Sequence, residues 1–140
     1  MNEVQAAQQQ VVEEFGFFDN WMDRYQYLID LGRKLPDLSA EEKNEKNRIA
    51  GCQSQVWFVA EFDGERLRFR AISDAAIVSG LIALLLRIYS DKPAADILAT
   101  PADFVTALEL EQHLSPTRSN GLASMLAAIR AFAAKASPSP

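Results

Sequence analysis

The side chain best equipped for nucleophilic chemistry is Cys52, the one cysteine among 140 residues. A thiolate attacks carbon or divalent sulfur directly, where a hydroxyl needs an adjacent base. Cys52 stands in Gly51-Cys52-Gln53-Ser54-Gln55, after a polar stretch from Lys43 to Arg48 and before a strand-like run. A cysteine that only fills a core is a small hydrophobe among hydrophobes. Polar neighbours put this one on a loop instead, and Gly51 lends that loop freedom for a tight or mobile turn. A lone thiol closes no internal disulfide and builds no thiolate cage, which takes about four ligands, so no metal site is expected. Cys52, the single histidine His113 and an acid such as Asp74 or Asp103 nominally make a cysteine hydrolase, which needs a base and an orienter beside its nucleophile. No spacing brings His113 to Cys52, and one cysteine with one histidine cannot hold an iron–sulfur centre. An adaptor with an inert Cys52 is the remaining alternative.

The elements that must position the thiol follow from the pattern around it. Gln53 to Ile72 alternates like a β-hairpin about Asp63-Gly64, a dipeptide favoured in two-residue type I′ turns. Closing the turn there sets Phe62 opposite Glu65, Glu61 opposite Arg66, Ala60 opposite Leu67, Phe58 opposite Phe69, Trp57 opposite Arg70 and Val56 opposite Ala71. One face is then apolar, and the other carries an ion pair and an arginine over an indole. Continued outward, Ser54 meets Ser73 and Cys52 reaches the level of Ala75. Ser73-Asp74 would cap a helix from Ala75 to Tyr89 whose apolar residues run nearly all round, which places it at the centre of the fold. The positive end of that helix favours a thiolate at Cys52, and the Asp74 carboxylate opposes it. Arg118, in a polar loop from Glu111 to Asn120, is the candidate cation that could shift the balance.

The outer elements are helical. Glu3 to Phe15 sets Ala7, Val11 and Phe15 on one face and ends at Gly16. A second helix, capped by Asp19 or Asn20, turns Trp21, Tyr25, Leu28 and Ile29 inward and stops at Gly32. Ser39 with Glu42 reads as a capping box, and Lys43 to Arg48 as a solvated loop. Pro93 and Pro101 introduce short helices at Ala94 to Leu98 and Ala102 to Leu110. A last helix, Gly121 to Lys135, closes the core with Leu122, Met125, Leu126, Ile129 and Phe132. The expected fold class is α+β: one domain over residues 1–136, a small antiparallel sheet packed by helices, and a frayed tail at 137–140, Ser137-Pro138-Ser139-Pro140.

Composition narrows the function. Fourteen basic residues against 19 acidic ones give a net charge of -5, without the basic surface a nucleic-acid binder uses. A folded protein partner is the better expectation. Met1 to Gln10 has no basic and apolar leader pattern, so the cytoplasm, where a free thiol survives, is the expected compartment. The longest mostly apolar stretch, Ile77 to Leu86, is half a membrane span.

The run Asn47-Arg48-Ile49-Ala50-Gly51-Cys52-Gln53-Ser54-Gln55-Val56-Trp57 resembles the signature of the SufE family, sulfur acceptors for cysteine desulfurases. Ser73-Asp74-Ala75-Ala76-Ile77-Val78 with Gly80-Leu81, and His113-Leu114-Ser115-Pro116-Thr117-Arg118-Ser119-Asn120-Gly121-Leu122, are similar to the family's later blocks. The resemblance implies an α+β fold shared with IscU-type scaffolds and a role in iron–sulfur cluster biogenesis. It implies that Cys52 takes persulfide sulfur from a SufS- or CsdA-like desulfurase and hands it to a downstream acceptor or scaffold. Pyridoxal phosphate would sit on the desulfurase only, with no cofactor on this chain. Gly51, Gln53, Ser54, Asp74 and Arg118 would form the loop and the partner contact. Gly51 as a joint also suits a thiol shielded at rest and exposed by the partner.

Overall fold

A helix apolar on every side must be covered on every side, and the fold is organised around one. In the computed structural model, which describes residues 1–136, helix α3 (Ala76–Tyr89) buries Ile82, Leu84, Leu85 and Ile88 completely. The expected tail at 137–140 lies outside the described residues. Helix α2 (Trp21–Arg33) crosses α3 at backbone contact. A Cβ on Gly32 would lie 2.5 Å from the Gly80 nitrogen, and one on Gly80 2.3 Å from the Leu28 oxygen, so neither helix tolerates a side chain there. Gly32 therefore does not stop α2, as expected from sequence; the helix runs past it to Arg33, and the glycine is there for the close crossing. Helix α1 (Glu3–Phe15) covers another side with Val4, Val11 and Phe15, and its N-terminus is closed by a capping box between Asn2 and Gln5. Its buried stripe is Val4, Gln8, Val11 and Phe15, with Ala7 at the edge.

The third cover is an antiparallel sheet in the order β1 (Val56–Phe62), β2 (Arg66–Ser73) and a two-residue β3 (Lys92–Pro93). The hairpin exists where expected, but its register is two residues away. Val56 pairs with Ser73, Trp57 with Ile72, Phe58 with Ala71, Ala60 with Phe69 and Phe62 with Leu67. The turn centres on Gly64-Glu65, with Gly64 at φ +102° in the first central position, where a type II′ turn favours glycine. Asp63 fixes it: its carboxylate accepts from the amides of Glu65 at 3.0 Å and Arg66 at 2.8 Å, which hold its carboxyl down to about 2. Because side chains alternate with period two, a shift of two leaves every residue on its expected face. Val56, Phe58, Leu67, Phe69 and Ala71 are all buried. The cross-strand partners do change. Arg70 reaches Glu42 at 2.6 Å and Glu61 at 3.4 Å instead of Trp57, and the cation over the Trp57 ring is Lys43.

The stretch expected as a solvated loop is anchored. Ser39 and Glu42 exchange the hydrogen bonds of the capping box at 3.2 and 3.1 Å. Asn47 and Ile49 then bond the free edge of β1, through Phe58 N–H to the Asn47 oxygen and Ile49 N–H to the Val56 oxygen, each 2.9 Å. The Val56–Phe58 part of the β1 edge is thereby paired.

The C-terminal half differs more from expectation. Helix α4 (Ala94–Ala99) follows Pro93 as expected. The helix expected from Ala102 to Leu110 is two single turns, α5 (Phe104–Ala107) and α6 (Leu110–His113), divided where Glu109 takes a left-handed φ of 56°. The expected loop from Glu111 to Asn120 is mostly helix: it completes α6 and begins α7 (Pro116–Ala136). Pro116 occupies the first turn, where its missing N–H costs nothing, and the Ser115 hydroxyl accepts from the Arg118 amide at 3.3 Å. Leu122, Met125, Ile129 and Ala133 seat α7 against the core.

Candidate functional site

The chain leaves the β1 edge at Ile49, turns through Ala50-Gly51 and enters β1 at Val56. Gly51 has φ +89°, and a Cβ on it would lie 2.4 Å from Ser124 Oγ, so both conformation and space call for glycine. The turn lays Cys52 against α7. Its Sγ donates to the Gly121 carbonyl at 3.7 Å, and a Cβ on Gly121 would meet Sγ at 3.7 Å. The thiol is half-buried, and that burial pushes the Cys52 thiol up.

This corrects the expected surroundings. The ladder ends at Val56 and Ser73, so Cys52 does not continue it to the level of Ala75; the thiol's partner is α7. The favourable end of α3 is not what acts on it. Nor do Ser73-Asp74 cap α3 in the expected way. The N-cap is Ala75, the Ser73 hydroxyl accepts from the Ala75 amide at 3.2 Å, and the Asp74 carboxylate accepts from the Gln55 amide at 3.0 Å. Asp74 thus pins the chain where the thiol loop enters β1.

Arg118 lies on a helix, not in a loop. It stands one turn before Gly121 on α7, and it is exposed with no salt bridge among the described residues. The fold therefore brings Cys52 and Gly51 together on α7 at Gly121 and Ser124, with Arg118 one turn earlier on the same helix. Gln53 is exposed and Ser54 half-buried just beyond the thiol. Residues not singled out from sequence complete the site. Gly121 and Ser124 form the floor under the loop. Glu45, Arg48, Ile49, Ala50, Gly51 and Cys52 line a surface pocket of about 280 Å³. The short spacing of Gly121 and Ser124 on a helix was the available signal for the floor; Arg48 lies within the Asn47–Trp57 run, without a pattern there that assigns it a role.

His113 belongs elsewhere. Its ring stacks on Trp21 at 4.0 Å, its Nε2 lies 3.6 Å from Glu109, and its carbonyl accepts from the Tyr25 hydroxyl. Among the described residues no hydrogen bond links it to Cys52, as the nucleophile–base pair of a hydrolase would require. No helix among the described residues is long and apolar enough to cross a membrane.

The arrangement defines a class: a small α+β protein that presents one thiol on a glycine-jointed loop seated on a helix. The family model for SufE, described as an Fe-S metabolism associated domain, matches residues 9–133. An uncharacterized SufE-like protein of Rhizobium etli is 43% identical over 130 residues, covering 89% of this chain and 88% of its own. Another from Rhizobium meliloti is 41% identical over 129 residues, covering 89% and 92%. The chain belongs to the SufE family, and so to a family associated with iron–sulfur metabolism. Its fold is also that of a hypothetical protein from Thermus thermophilus solved in solution, with a TM-score of 0.76 at 24% identity over 93% of this chain and 95% of that one.

Proposed function

We propose that this protein takes a sulfur atom from a cysteine desulfurase onto Cys52 and passes it on for iron–sulfur cluster assembly. The observation that carries the reading is the setting of the one thiol, half-buried on the Gly51 loop and bordering a pocket. The partner, a SufS- or CsdA-like enzyme, removes sulfur from L-cysteine with its own pyridoxal phosphate and holds it as a persulfide. The Cys52 thiolate attacks the outer sulfur; the partner's S–S bond breaks, a new one forms at Cys52, and the partner leaves as a thiolate ready for another turnover.

Burial keeps the resting thiol protonated and slow. A partner that lifts the loop from Gly121 relieves that burial, and binding the lifted state better is all the partner needs to do so. Arg118, exposed beside the floor, contacts that partner, and the net charge of -5 suits a folded protein rather than a polyanion. The reduced cytoplasm, where a free thiol survives, is the working compartment.

The test is to mix the protein with candidate desulfurases and L-cysteine and read intact mass. The wild type should gain the mass of one sulfur atom. Cys52→Ser should fold, bind the desulfurase, gain nothing and fail to raise its turnover. Wild-type stimulation by Cys52→Ser would overturn the assignment.

A further inference from the structure

Sulfur transfer leaves Cys52 carrying a second sulfur, and that atom needs a place and a counter-charge. Neither is offered by the Gly121 carbonyl, which can only accept a hydrogen bond. Cys52 also lines the pocket of about 280 Å³, in whose wall Arg48 is the one cation. The Arg48 backbone is fixed by its bridge to Trp57, so its Cα is held in place whatever its side chain does. Its guanidinium, by contrast, is loosely held. Its one carboxylate, Glu45, lies 3.7 Å away and is itself 89% exposed. Arg66 and Arg70 grip Glu3 and Glu42 at 2.8 and 2.6 Å. An arginine with a rigid base and unspent donors on the wall of a pocket shared with a thiol is suited to an incoming anion.

We infer that this pocket seats the outer sulfur of a Cys52 persulfide and that Arg48 holds its negative charge. The inference rests on the sulfur-transfer reading. In the step, the Cys52 thiolate supplies the electron pair of the new S–S bond, and the pair of the broken bond departs with the partner's thiolate. The product, Cys52–S–SH, releases its proton to solvent because a persulfide is a stronger acid than a thiol. There is no net oxidation. The outer sulfur stands one S–S bond, about 2.05 Å, beyond Sγ, a small step from the pocket wall. The other charged groups on the thiol loop are Lys43, over the Trp57 ring, Glu45, which competes for Arg48, and the exposed Lys46. Helix α7 carries Arg118 in its first turn and Arg130 and Lys135 in its later turns, and Asp74 is already engaged with the Gln55 amide.

The experiment uses the whole chain, loaded at Cys52 with inorganic polysulfide so that no partner contact enters. The rate at which iodoacetamide captures the persulfide is followed against pH for the wild type, Arg48→Gln and Arg48→Lys. A unit charge about 6 Å away changes an ionisation about threefold if fully water-screened and up to about a hundredfold at the effective dielectric of a protein surface. Arg48→Gln should therefore slow capture by that factor below the midpoint, moving the midpoint to higher pH and leaving the high-pH plateau unchanged. Arg48→Lys should restore it, and high salt should shrink the difference. An unchanged midpoint in Arg48→Gln overturns the inference, and so does a changed plateau with an unchanged midpoint, which would give Arg48 a role in shape only. A wild-type Cys52 that takes up no sulfur from any desulfurase brings down the transfer reading itself. Uptake with an unshifted Arg48→Gln midpoint brings down this inference alone.

Discussion

Replacing Gly51 by alanine separates docking of the thiol loop from folding of the domain. At φ +89° an L side chain is strained by about 1–3 kcal/mol. The new Cβ would also stand 2.4 Å from Ser124 Oγ, a short side chain able to turn aside, so this part is the smaller. Both penalties exist only while the loop lies on α7, because a released loop is free to take another φ. Gly51→Ala should thus shift the released-to-docked ratio by about 5- to 150-fold. The rate at which a small alkylating agent labels Cys52 at fixed pH, read by intact mass, should rise by that factor until the loop is released in most molecules. The melting temperature should fall by a few degrees at most, since β1, β2 and α3 keep their packing. Gly51→Ala with Ser124→Gly removes the clash and leaves the strain, so its labelling rate should fall between the two. Labelling at the wild-type rate in Gly51→Ala, with the melting temperature reduced by the full strain, would refute the reasoning and make Gly51 a plain folding requirement.

Arg118→Ala should leave the melting temperature almost unchanged, since an exposed arginine without a salt bridge adds little, while weakening stimulation of the desulfurase in a turnover assay. Gly80→Ala drives a Cβ to 2.3 Å from the Leu28 oxygen, a backbone atom that cannot turn aside. It should cost about 3 kcal/mol or more and about 10 °C in a thermal melt. Glu42 is held down to about 2, first by its hydrogen bond with Arg70 and then by the Ser39 amide. A carboxylate lowered on folding stabilises above its unfolded pKa, near 4.5, and loses that contribution as the pH falls through about 2. Glu42→Gln should therefore lower the melting temperature above about pH 4.5, converge with the wild type as the pH falls through about 2, and so flatten the acid limb in that window.

The hairpin shows which features the sequence carries and which it does not. Strand faces depend on alternation, a local property, and Val56, Phe58, Leu67, Phe69 and Ala71 fell on the buried face in either register. Register itself depends on which pair of residues closes the turn. Asp63-Gly64 and Gly64-Glu65 are both acceptable centres, and the choice is made by the Asp63 carboxylate reaching forward to two amides. Gly32 has the same ambiguity at longer range. A glycine near the end of a helical pattern is a stop signal when read alone, and only Gly80, 48 positions on, turns it into a crossing point. In the Glu111 to Asn120 stretch the local signal was present: Ser115-Pro116 is a cap followed by a first-turn proline. Polar composition outweighed it because the apolar stripe of α7 begins only at Leu122.

The site divides along the same line. The choice of Cys52 as the proposed nucleophile follows from counting and from its neighbours, because a unique thiol among polar residues is a local fact. Its ionisation is not local. A register two residues different, with the ladder ending at Val56, takes Cys52 from the positive end of α3 to the Gly121 carbonyl of α7. That exchanges a setting favouring the thiolate for one in which burial favours the thiol. The exchange has a chemical consequence for the proposed reaction. A permanently ionised, accessible thiol would be carried up the sulfenic and sulfinic ladder, whereas a thiol held on α7 must be released before it can react. Release by about 3 kcal/mol of differential binding would be enough to open a loop that is closed in about 99% of molecules and leave it about half open. In the proposed reaction, activation would lie with the partner, and the glycine joint at Gly51 would let a rigid α3-centred core deliver a mobile sulfur.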